Sequence, residues 1–585
     1  MFGVPSLSGL SEKIIRYSER IFMKIVIVGG VAGGATAAAR IRRLDEQAQI
    51  IVFERSGYVS YANCGLPYYI GDVITDPEAL TLQTPESFFK RFRVTMKVHH
   101  EVTALHPDRK TVSVKNLTTG EVFEESYDKL ILSPGAKPTQ PKLPGIDMEK
   151  VFTLRTVEDT FRLKKYIETK KPTSAVLAGG GFIGLELAEN LKDLGIDVTI
   201  VQRPNQLMNP FDADMASFIH NEMRKHGVKL LLGRTVEGFE EKGETIRVLL
   251  KDEQPLHADL VVLAIGVTPD THLAKEAGLQ LGIKDSIVVN YRMETSIPDI
   301  YAAGDAVMVK HYVTGQDALI SLAGPANKQG RIIADNICGG DSHYLGSQGS
   351  SVIKVFDLTA ATTGINETNA RKAGLDVDTV ILSPMNHAGY YPGGKVMTMK
   401  VVFEKNTYRL LGAQIVGYEG VDKRIDVLST AIHANLKATS LQDLDLAYAP
   451  PYSSAKDPVN MAGFMIDNIA NGILKQWHLS DLTSILQDSN ATLLDVRTIF
   501  EYEHSHIEGF KNIPVDELRD HLSEIEKDKP VYVICQSGLR SYIATRILSQ
   551  NGYDAYNFAG GFRFYEAVMH DRSLVEKETA CGMDL

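Results

Sequence analysis

The sequence predicts an α/β protein built from two doubly wound domains with parallel sheets, an α+β domain, and a further α/β module at the C-terminus. One pattern occurs twice, beginning near Ile25 and near Ala175. Each copy runs from an apolar strand through a glycine-rich turn and an Ala/Leu-rich helix to a second apolar strand. Parallel strands need a connection of helix length, so each copy predicts a parallel sheet with right-handed crossovers. The segment Lys475 to His478 marks the shift into the C-terminal module, which ends near Arg572.

Length, composition and charge limit the classes of protein to which this chain can belong. With 585 residues, of which 44% are hydrophobic and 23% charged, the chain has the composition of a folded multidomain protein. Its 62 basic and 73 acidic side chains leave a net charge of −11, which argues against a nucleic-acid partner. No segment reaches the ~18–20 apolar residues of a membrane span, so we expect no membrane partner.

Four cysteines are scattered along the chain: Cys64, Cys338, Cys535 and Cys581. No pair has CxxC or zinc-ligand spacing, so the sequence predicts neither a disulfide scaffold nor a metal site. This usage favours a reducing compartment, and we expect a cytoplasmic protein. Residues 1–22 are interpreted as an N-terminal extension, because the first strand follows Met23 and Lys24.

The first glycine-rich turn has the features of a dinucleotide site. It runs from Gly29 to Gly34 and opens a helix, with Glu54 at the end of the next strand. Small residues let the backbone approach a pyrophosphate, the helix N-terminus offers free N–H groups, and Glu54 can accept a hydrogen bond from a ribose hydroxyl. Val31 stands at the middle glycine position of G-x-G-x-x-G, which is a departure from that pattern.

The second turn is a complete fingerprint, Gly179 to Gly184, after the strand that begins at Ala175. Its second strand ends at Gln202 and Arg203, where sites that prefer NAD often place a carboxylate. The missing negative charge and the neighbouring guanidinium would tolerate a 2′-phosphate. The sequence therefore leaves the choice between NADH and NADPH open.

A third element completes the set: the apolar strand Ile300 to Ala302 leads into Gly304 and Asp305, whose carboxylate can accept from a flavin ribityl hydroxyl. With the strand-to-turn crossings at Gly135 and Gly266, the chain from Met23 to Ile466 resembles the FAD-dependent pyridine nucleotide-disulfide oxidoreductases. For FAD the resemblance implies Gly29, Val31, Ala32, Gly33, Gly34, Glu54, Arg55, Gly135, Gly304 and Asp305. For NAD(P)H it implies Gly179, Gly181, Phe182, Ile183, Gly184, Gln202 and Gly266.

Cys64 is the candidate redox cysteine, because its loop follows the Glu54 strand closely. No second cysteine lies four or five residues away, so a CxxxxC dithiol is excluded. A lone cysteine must cycle through a mixed disulfide, a persulfide or a sulfenic acid. The stretch Ser60 to Cys64 resembles the signature of coenzyme A-disulfide reductases, which usually carry Phe at the position of Tyr61.

Coenzyme A is highly charged, so its site should gather cations. Thr36, Arg40 and Arg43 share one helix face at one-turn spacing. The resemblance implies these contacts to coenzyme A, as substrate or as a tightly bound mixed disulfide: Thr36, Arg40, Arg43, Ser60, Asn63, Asn327 and Lys456.

Two tyrosines on glycine- and proline-bounded loops, Tyr390 and Tyr448, are the remaining candidates in the third domain. The resemblance implies a homodimer in which they reach the flavin-side cysteine of the other subunit and assist the departing thiolate.

The C-terminal module resembles a rhodanese domain. The strand Val531 to Ile534 ends at Cys535, and four residues separate Cys535 from Arg540 before a helix begins. Such a loop directs backbone N–H groups at the sulfur, favours the thiolate and stabilises a persulfide. Arg540 adds a charge, and Asp495 is expected to anchor the loop. A phosphatase uses a similar cradle, but its Cys-to-Arg loop typically spans one more residue.

Together these features predict a cytoplasmic flavoprotein that uses NAD(P)H to reduce coenzyme A disulfide, persulfide or polysulfide through Cys64, with a sulfurtransferase module fused to it. The alternatives are a single-cysteine NADH oxidase or peroxidase and a non-catalytic flavin redox sensor. Oxidase and peroxidase relatives carry a histidine where this chain has Ala32. The predicted boundaries, in chain order, are an extension (1–22), an FAD-binding domain (23–145 and 270–345), an NAD(P)H-binding domain (146–269), a dimerisation domain (346–466), a linker (467–477), a rhodanese domain (478–572) and a tail (573–585).

Overall fold

The computed structural model describes residues 22–580, with side chains through Val575. The predicted N-terminal extension, apart from Phe22, and Cys581 lie outside these residues. The predicted α/β class is confirmed: two parallel sheets, one antiparallel sheet and a third parallel sheet follow one another, each covered by helices.

The first parallel sheet carries the first glycine-rich turn. Its strands, in spatial order, are Ile300–Ala302, Lys129–Leu132, Lys24–Val28, Gln49–Phe53 and Thr95–Lys97. Helices Ala32–Leu44 and Ala323–Ile337 cover one side. The strand order reverses between Lys24–Val28 and Lys129–Leu132, and ligands of open α/β sheets bind at the carboxyl ends of strands at such a switch point.

The second parallel sheet repeats this arrangement. Its strands, in spatial order, are Lys229–Leu232, Asp197–Gln202, Ser174–Ala178, Leu260–Leu263 and Val151–Thr153. Its helices are Val157–Lys170, Phe182–Asp193 and Ala213–Lys225. Small antiparallel sheets decorate both domains, with strands His100–His106, Thr111–Asn116, Val122–Ser126, Val236–Lys242, Thr245–Leu250 and Leu256–Ala258.

The third part is the expected α+β domain. Its antiparallel strands, in spatial order, are Ser351–Val355, Leu358–Gly364, Leu410–Gly417, Thr398–Glu404 and Val377–Leu382. Its helices are Glu367–Lys372, Val421–His433 and Pro458–Ala470. The last of these helices continues past Ile466, where we expected the domain to end.

The C-terminal module has a parallel sheet of strands Gln476–Trp477, Ala555–Phe558, Val531–Ile534, Thr492–Asp495 and Lys511–Asn512. Its helices are Leu482–Gln487, Ile499–His504, Leu539–Gln550 and Gly561–Ala580. Two details differ from the prediction. The expected linker already contains the edge strand, because Trp477 is buried against Phe558 with ring centroids 4.2 Å apart. The expected tail begins as helix.

Polar contacts fasten the C-terminal module to the second domain. Asp571 lies 2.8 Å from His220 Nδ1, and it also pairs with Arg224. The other ring nitrogen of His220 accepts from the backbone N–H of Leu207, in the loop that follows Gln202. Among residues 22–580 no helix combines the length and apolar character that a membrane crossing requires.

Candidate active site

The first glycine-rich turn is packed too tightly for a side chain at Gly29 or at Gly34. Gly29 has φ +96°, and a Cβ there would lie 2.1 Å from the carbonyl oxygen of Ser133. A Cβ at Gly34 would lie 1.9 Å from the oxygen of Gly29. The helix Ala32–Leu44 starts after Val31 with no side-chain cap, so its first N–H groups stay available to an anion.

Glu54 is buried and braces this turn. Its two carboxylate oxygens accept from the backbone N–H of Gly30 and of Ser56, both at 2.9 Å. Arg55 pairs with Asp270 at 2.8 Å. Gln202 has the same place in the second domain, because its Oε1 accepts from the Gly180 N–H at 3.0 Å. An amide thus replaces a carboxylate at equivalent positions of the two domains.

The second turn leaves room beside its backbone. Gly179 and Gly184 are closely packed, since their Cβ atoms would lie 2.3 Å from Ala264 O and 2.1 Å from Gly179 O. Gly181 and Gly266 instead face open space, with no atom within 4 Å of a Cβ position. Phe182 and Ile183 start the helix Phe182–Asp193 and are half-buried.

Cys64 lies on the short turn Asn63–Gly65 and is exposed. The Asn63 amide, in the orientation that satisfies its hydrogen bonds, donates to Arg155 O at 3.0 Å and accepts from Arg155 Nη1 at 3.2 Å. The guanidinium of Arg155 also donates to Asp305 at 2.6 Å. The structure therefore joins the Cys64 turn to the predicted flavin carboxylate Asp305 through an arginine that the sequence analysis did not select.

Charges from three elements act on the Cys64 thiol. Desolvation of the sulfur by the groups packed around it raises the thiol pKa most, although the residue is exposed; Glu186 and Asp305 raise this pKa further, and Arg155 lowers it. Glu186 belongs to the helix Phe182–Asp193 of the second domain, so both nucleotide domains contribute to the surroundings of this sulfur.

Glu186 lines a cavity of about 480 Å³ together with Tyr68 and Lys354. Burial, with a smaller contribution from Glu189, raises the pKa of Glu186 to about 7. Burial and the nearby carboxylates raise the pKa of Tyr68 to about 12. The carboxyl group therefore exchanges its proton near neutral pH, within electrostatic reach of Cys64.

The predicted coenzyme A residues fall into two groups in this chain. Thr36 Oγ1 donates to Asn327 Oδ1 at 2.5 Å, across the two helices that pack at Gly33 and Gly330. On the same face, Arg40 pairs with Asp335 at 2.8 Å, and Arg43 is exposed.

The second group is at the redox turn, where Ser60 has φ +48° and Asn63 contacts Arg155. Lys456 belongs to neither group, because it is exposed in the third domain beside the Tyr448 loop.

Tyr390 and Tyr448 are brought together although 58 residues separate them, and their hydroxyl oxygens lie 2.7 Å apart. They are 77% and 45% exposed. The hydrogen bond with Tyr390 raises the pKa of Tyr448.

A buried arginine, Arg424, holds the two tyrosine loops. Its Nη2 donates to Asn386 O at 2.9 Å, to Ser453 Oγ at 3.1 Å and to Asp457 at 2.9 Å. Asn386 precedes Tyr390, and Ser453 follows Tyr448, so one guanidinium bridges both loops.

The Cys535 loop has the expected strand-loop-helix geometry. Cys535 is fully buried, and its Sγ accepts from the Gly538 N–H at 3.1 Å and from the Ser541 hydroxyl at 3.2 Å. Gly538 has φ +97°, which a side chain would disfavour. Gly561 packs directly against the backbone of this loop, since a Cβ at Gly561 would lie 2.8 Å from the carbonyl oxygen of Gln536.

Asp495 reaches this loop indirectly. Its carboxylate is paired at 2.7 Å with Arg497, which is equally buried. Arg497 in turn donates to Gln536 Oε1 at 3.3 Å and lies 3.8 Å over the ring of Phe562. The expected anchor is therefore the Asp495–Arg497 pair, of which the sequence analysis selected only the carboxylate.

Arg540 is turned toward a neighbouring carboxylate. Both of its terminal nitrogens donate to Glu501 at 2.7 Å. This hydrogen bonding lowers the pKa of Glu501 to about 2. Glu501 therefore stays ionised and compensates the positive charge that we expected Arg540 to add to the loop.

Four functional candidates were missed: Arg155, Glu186, Arg424 and Arg497. Glu186 stands two residues after Gly184, so its spacing from the fingerprint could have identified it. Arg155 and Arg424 carry no local signal, because the partners described above are distant in the chain, whereas Arg497 stands two residues after Asp495 and could have been selected with it.

Three family models match successive parts of the chain. They are the pyridine nucleotide-disulphide oxidoreductase model over residues 23–330, the dimerisation domain of the same family over residues 350–458, and the rhodanese-like domain over residues 478–567.

The proteins similar to this chain align with part of it or with almost all of it. A coenzyme A disulfide reductase of Staphylococcus aureus strain JH9 is 37% identical over 442 residues, which is 75% of this chain and 99% of that protein. The crystal structure of reduced CoADR-RHD of Bacillus anthracis has a TM-score of 0.92 and 49% identity, covering 94% of this chain and 99% of that one. A NAD-dependent persulfide reductase of A. fulgidus has a TM-score of 0.87 and 38% identity, covering 93% of this chain and all of that one.

Proposed function

The chain belongs to the pyridine nucleotide-disulphide oxidoreductase family, and from this premise we propose that it reduces coenzyme A disulfide and coenzyme A persulfide or polysulfide. Cys64 is the redox cysteine in this proposal, and Cys535 carries sulfane sulfur. One observation carries it: Asp305 and Glu186, from the two nucleotide domains, both act on a cysteine that has no partner thiol in its loop. The chain is an oxidoreductase of sulfur groups with a rhodanese-like domain.

FAD and a pyridine nucleotide are the redox cofactors that the family implies. The residues present fit both groups. In the first domain, Ala32 to Gly34 and the uncapped helix would hold a pyrophosphate, with Asp305 available to a ribityl hydroxyl. In the second domain, the open space at Gly181 and Gly266 admits a dinucleotide backbone. When bound, FAD would take a hydride from NAD(P)H and supply the two electrons that reduce a disulfide at Cys64.

The Cys64 thiolate begins the reaction by attacking the inner sulfur of a coenzyme A persulfide. The bond between that sulfur and the terminal sulfur breaks, a Cys64–coenzyme A mixed disulfide forms, and hydrosulfide leaves. Two electrons then cleave the mixed disulfide into the Cys64 thiolate and the coenzyme A thiolate. With coenzyme A disulfide, the first leaving group is a second coenzyme A thiolate.

The chain's own side chains supply charge and protons. The Arg155 guanidinium lies beside the Cys64 turn, and Thr36, Arg40 and Asn327 offer contacts to the nucleotide part of coenzyme A. The exposed Tyr390–Tyr448 pair would protonate a departing thiolate at the partner's Cys64 in a homodimer. Lys456, which is exposed in the same domain, would meet the partner's bound coenzyme A.

Cys535 has the surroundings of a sulfur carrier. Its thiolate would attack the outer sulfur of a sulfane donor, release the donor's thiolate and become a persulfide. The Gly538 N–H and the Ser541 hydroxyl, which already donate to Sγ, would stabilise the anionic sulfur. Attack by a coenzyme A thiolate on the outer sulfur then regenerates Cys535 and forms the coenzyme A persulfide that Cys64 uses.

The test compares the variants Cys64→Ser and Cys535→Ser, with Cys338→Ser as the matched control at a half-buried thiol. NADH consumption and sulfide release are measured with coenzyme A disulfide, coenzyme A persulfide and hydrogen peroxide. We expect Cys64→Ser to abolish turnover with both coenzyme A substrates, whereas Cys535→Ser keeps coenzyme A disulfide reduction.

Sulfide release by Cys64→Ser at the wild-type rate would refute the assignment. Turnover only with peroxide would favour an oxidase or peroxidase, and no turnover of wild-type enzyme with any acceptor would favour a redox sensor.

A further inference from the structure

A second cavity lies where three domains meet, away from Cys64. Its volume is about 210 Å³. The helix Ala213–Lys225 forms one wall, the antiparallel sheet of the third domain forms another, and Arg563 of the C-terminal helix completes it. We call it the junction cavity. Tyr418 contributes to its wall and also to the wall of the cavity that contains Glu186.

Two buried polar atoms on this wall have no hydrogen-bond partner among the described residues. One is Arg563 Nε, a donor. The other is Asn221 Oδ1, an acceptor, whose neighbouring Nδ2 donates to Ala567 O at 3.0 Å. Buried donors and acceptors are nearly always paired, because an unpaired one forfeits its hydration without compensation. Both residues line the junction cavity, and the two buried atoms have opposite hydrogen-bonding requirements, one being a donor and the other an acceptor.

The charge of the cavity is positive. Glu222 is buried, and its carboxylate is paired with Lys225 at 3.1 Å. Tyr418 is a further neighbour of that carboxylate, with its hydroxyl 3.4 Å from Glu222 Oε2. Arg563 forms no ion pair with any described residue, so its guanidinium charge is left without a counter-charge. Beside this guanidinium an anion is therefore favoured.

The volume of the junction cavity and its hydrogen-bond donors indicate which class of anion it can bind. Pockets for organic ligands usually measure about 300–1,000 Å³, so the junction cavity suits a smaller ligand. A guanidinium and an ammonium favour oxygen atoms that share a negative charge, and Asn221 Oδ1 accepts from a protonated oxygen. We propose that the junction cavity binds a small oxyanion of sulfur or phosphorus, such as hydrogen sulfite or hydrogen phosphate.

Backbone hydrogen bonds join the segment that carries Arg563 to the Cys535 loop. The N–H of Arg563 donates to Gln536 O at 3.1 Å, and the N–H of Phe562 donates to Cys535 O at 2.8 Å. An anion held by the Arg563 side chain therefore fastens the segment that closes the Cys535 loop. Oxyanion binding itself does not depend on the proposed reductase activity, so the two proposals can fail separately.

The experiment measures anion binding to the FAD-loaded full-length protein by isothermal titration calorimetry. Sulfite, thiosulfate, sulfate and phosphate are titrated at constant ionic strength, with chloride as the control salt. Wild type is compared with Arg563→Gln, Asn221→Leu and the matched control Arg572→Gln, an exposed arginine on the same helix. Thermal unfolding is recorded for each variant with and without the tightest anion.

We expect saturable binding of at least one oxyanion to wild type and to Arg572→Gln, at least tenfold weaker binding to Arg563→Gln, and weaker binding of the protonated oxyanions to Asn221→Leu. Without anion, Arg563→Gln should unfold at the wild-type temperature, because no described group pairs with the guanidinium. Tighter binding of the sulfur oxyanions or of phosphate identifies the source of the ligand.

Three results would overturn the proposal. They are the absence of saturable binding by any oxyanion, equal binding to wild type and Arg563→Gln, and a lower unfolding temperature of Arg563→Gln in the absence of anion. The last result would assign Arg563 a purely structural role.

Discussion

Replacing Arg424 with lysine should loosen the contact between the two tyrosine loops while keeping a positive charge beside Asp457. The guanidinium of Arg424 is 1% exposed and donates to Asn386 O, Ser453 Oγ and the Asp457 carboxylate. An ammonium on a lysine stem retains the charge but cannot present the planar fork of donors that meets these groups at once. The Tyr390 loop then loses one of its ties to the Tyr448 loop and keeps the hydrogen bond from Ala388 N–H to Ser453 O.

The expected losses of unfolding free energy and of kcat follow from the contacts that each variant removes. A hydrogen bond from a charged donor contributes about 1.5–3 kcal/mol, and Arg424→Lys loses the bond to Asn386 O. Arg424→Met also removes the charge and leaves the buried Asp457 with only Lys423, at 3.8 Å, as a counter-charge, which costs at most about 3–5 kcal/mol of unfolding free energy. A positioned general acid contributes roughly 10²–10⁴-fold to a rate, so displacement of the tyrosine pair lowers kcat by at most that factor.

The assay is NADH-dependent reduction of coenzyme A disulfide as a function of pH, together with urea unfolding. Arg409→Lys, at a partly exposed arginine of the same domain, is the matched control. We expect Arg424→Lys to lower kcat at least tenfold, with KM for NADH unchanged, and to alter the alkaline limb of the pH profile. Wild-type kcat in Arg424→Lys would refute the positioning role, and wild-type stability of Arg424→Met would refute the energetic reasoning.

Three further predictions concern other sites. The folded-state pKa of Glu186 is raised from 4.5 to about 7, so the unfolded chain releases a proton that the folded protein keeps, and the unfolding free energy falls as pH rises from 4.5 to about 7. In urea unfolding, the Glu186→Gln variant should lack this fall in unfolding free energy. The pH at which Cys64 becomes reactive toward an alkylating agent should also be lower in this variant, because a charge that raises the thiol pKa is gone. Unchanged profiles would contradict both statements. The pKa of Glu501 is lowered from 4.5 to about 2, so its pairing with Arg540 contributes stability above pH 4.5 that is lost as pH falls toward 2. Unfolding of the Glu501→Gln variant should show a smaller loss over that range than wild type, and an equal loss would count against the pairing. Gly330→Val should separate two helices, because a Cβ at Gly330 would lie 2.3 Å from Gly33 O, and the purified variant should contain less FAD per chain than wild type; full flavin content would show that the close approach is dispensable.

Local chemistry explains why the fold class and the sulfur loop could be predicted. Gly29, Gly179 and Gly538 occupy positive φ values that a side chain disfavours, and the strands and helices around them follow the apolar patterns of a parallel sheet. The four-residue spacing of Cys535 and Arg540 likewise lies within one loop. Such features depend on residues that are neighbours in the chain, so the sequence by itself determined them.

Only the tertiary structure decided which side chains surround the redox sulfur. Arg155, Glu186 and Asp305 come from different elements and meet at Cys64 because the two nucleotide domains pack against each other there. Gln202 takes the place of Glu54 because the second domain repeats the backbone of the first. These contacts join residues that are far apart in the chain, and their geometry depends on the burial of many side chains at once, which no local pattern encodes.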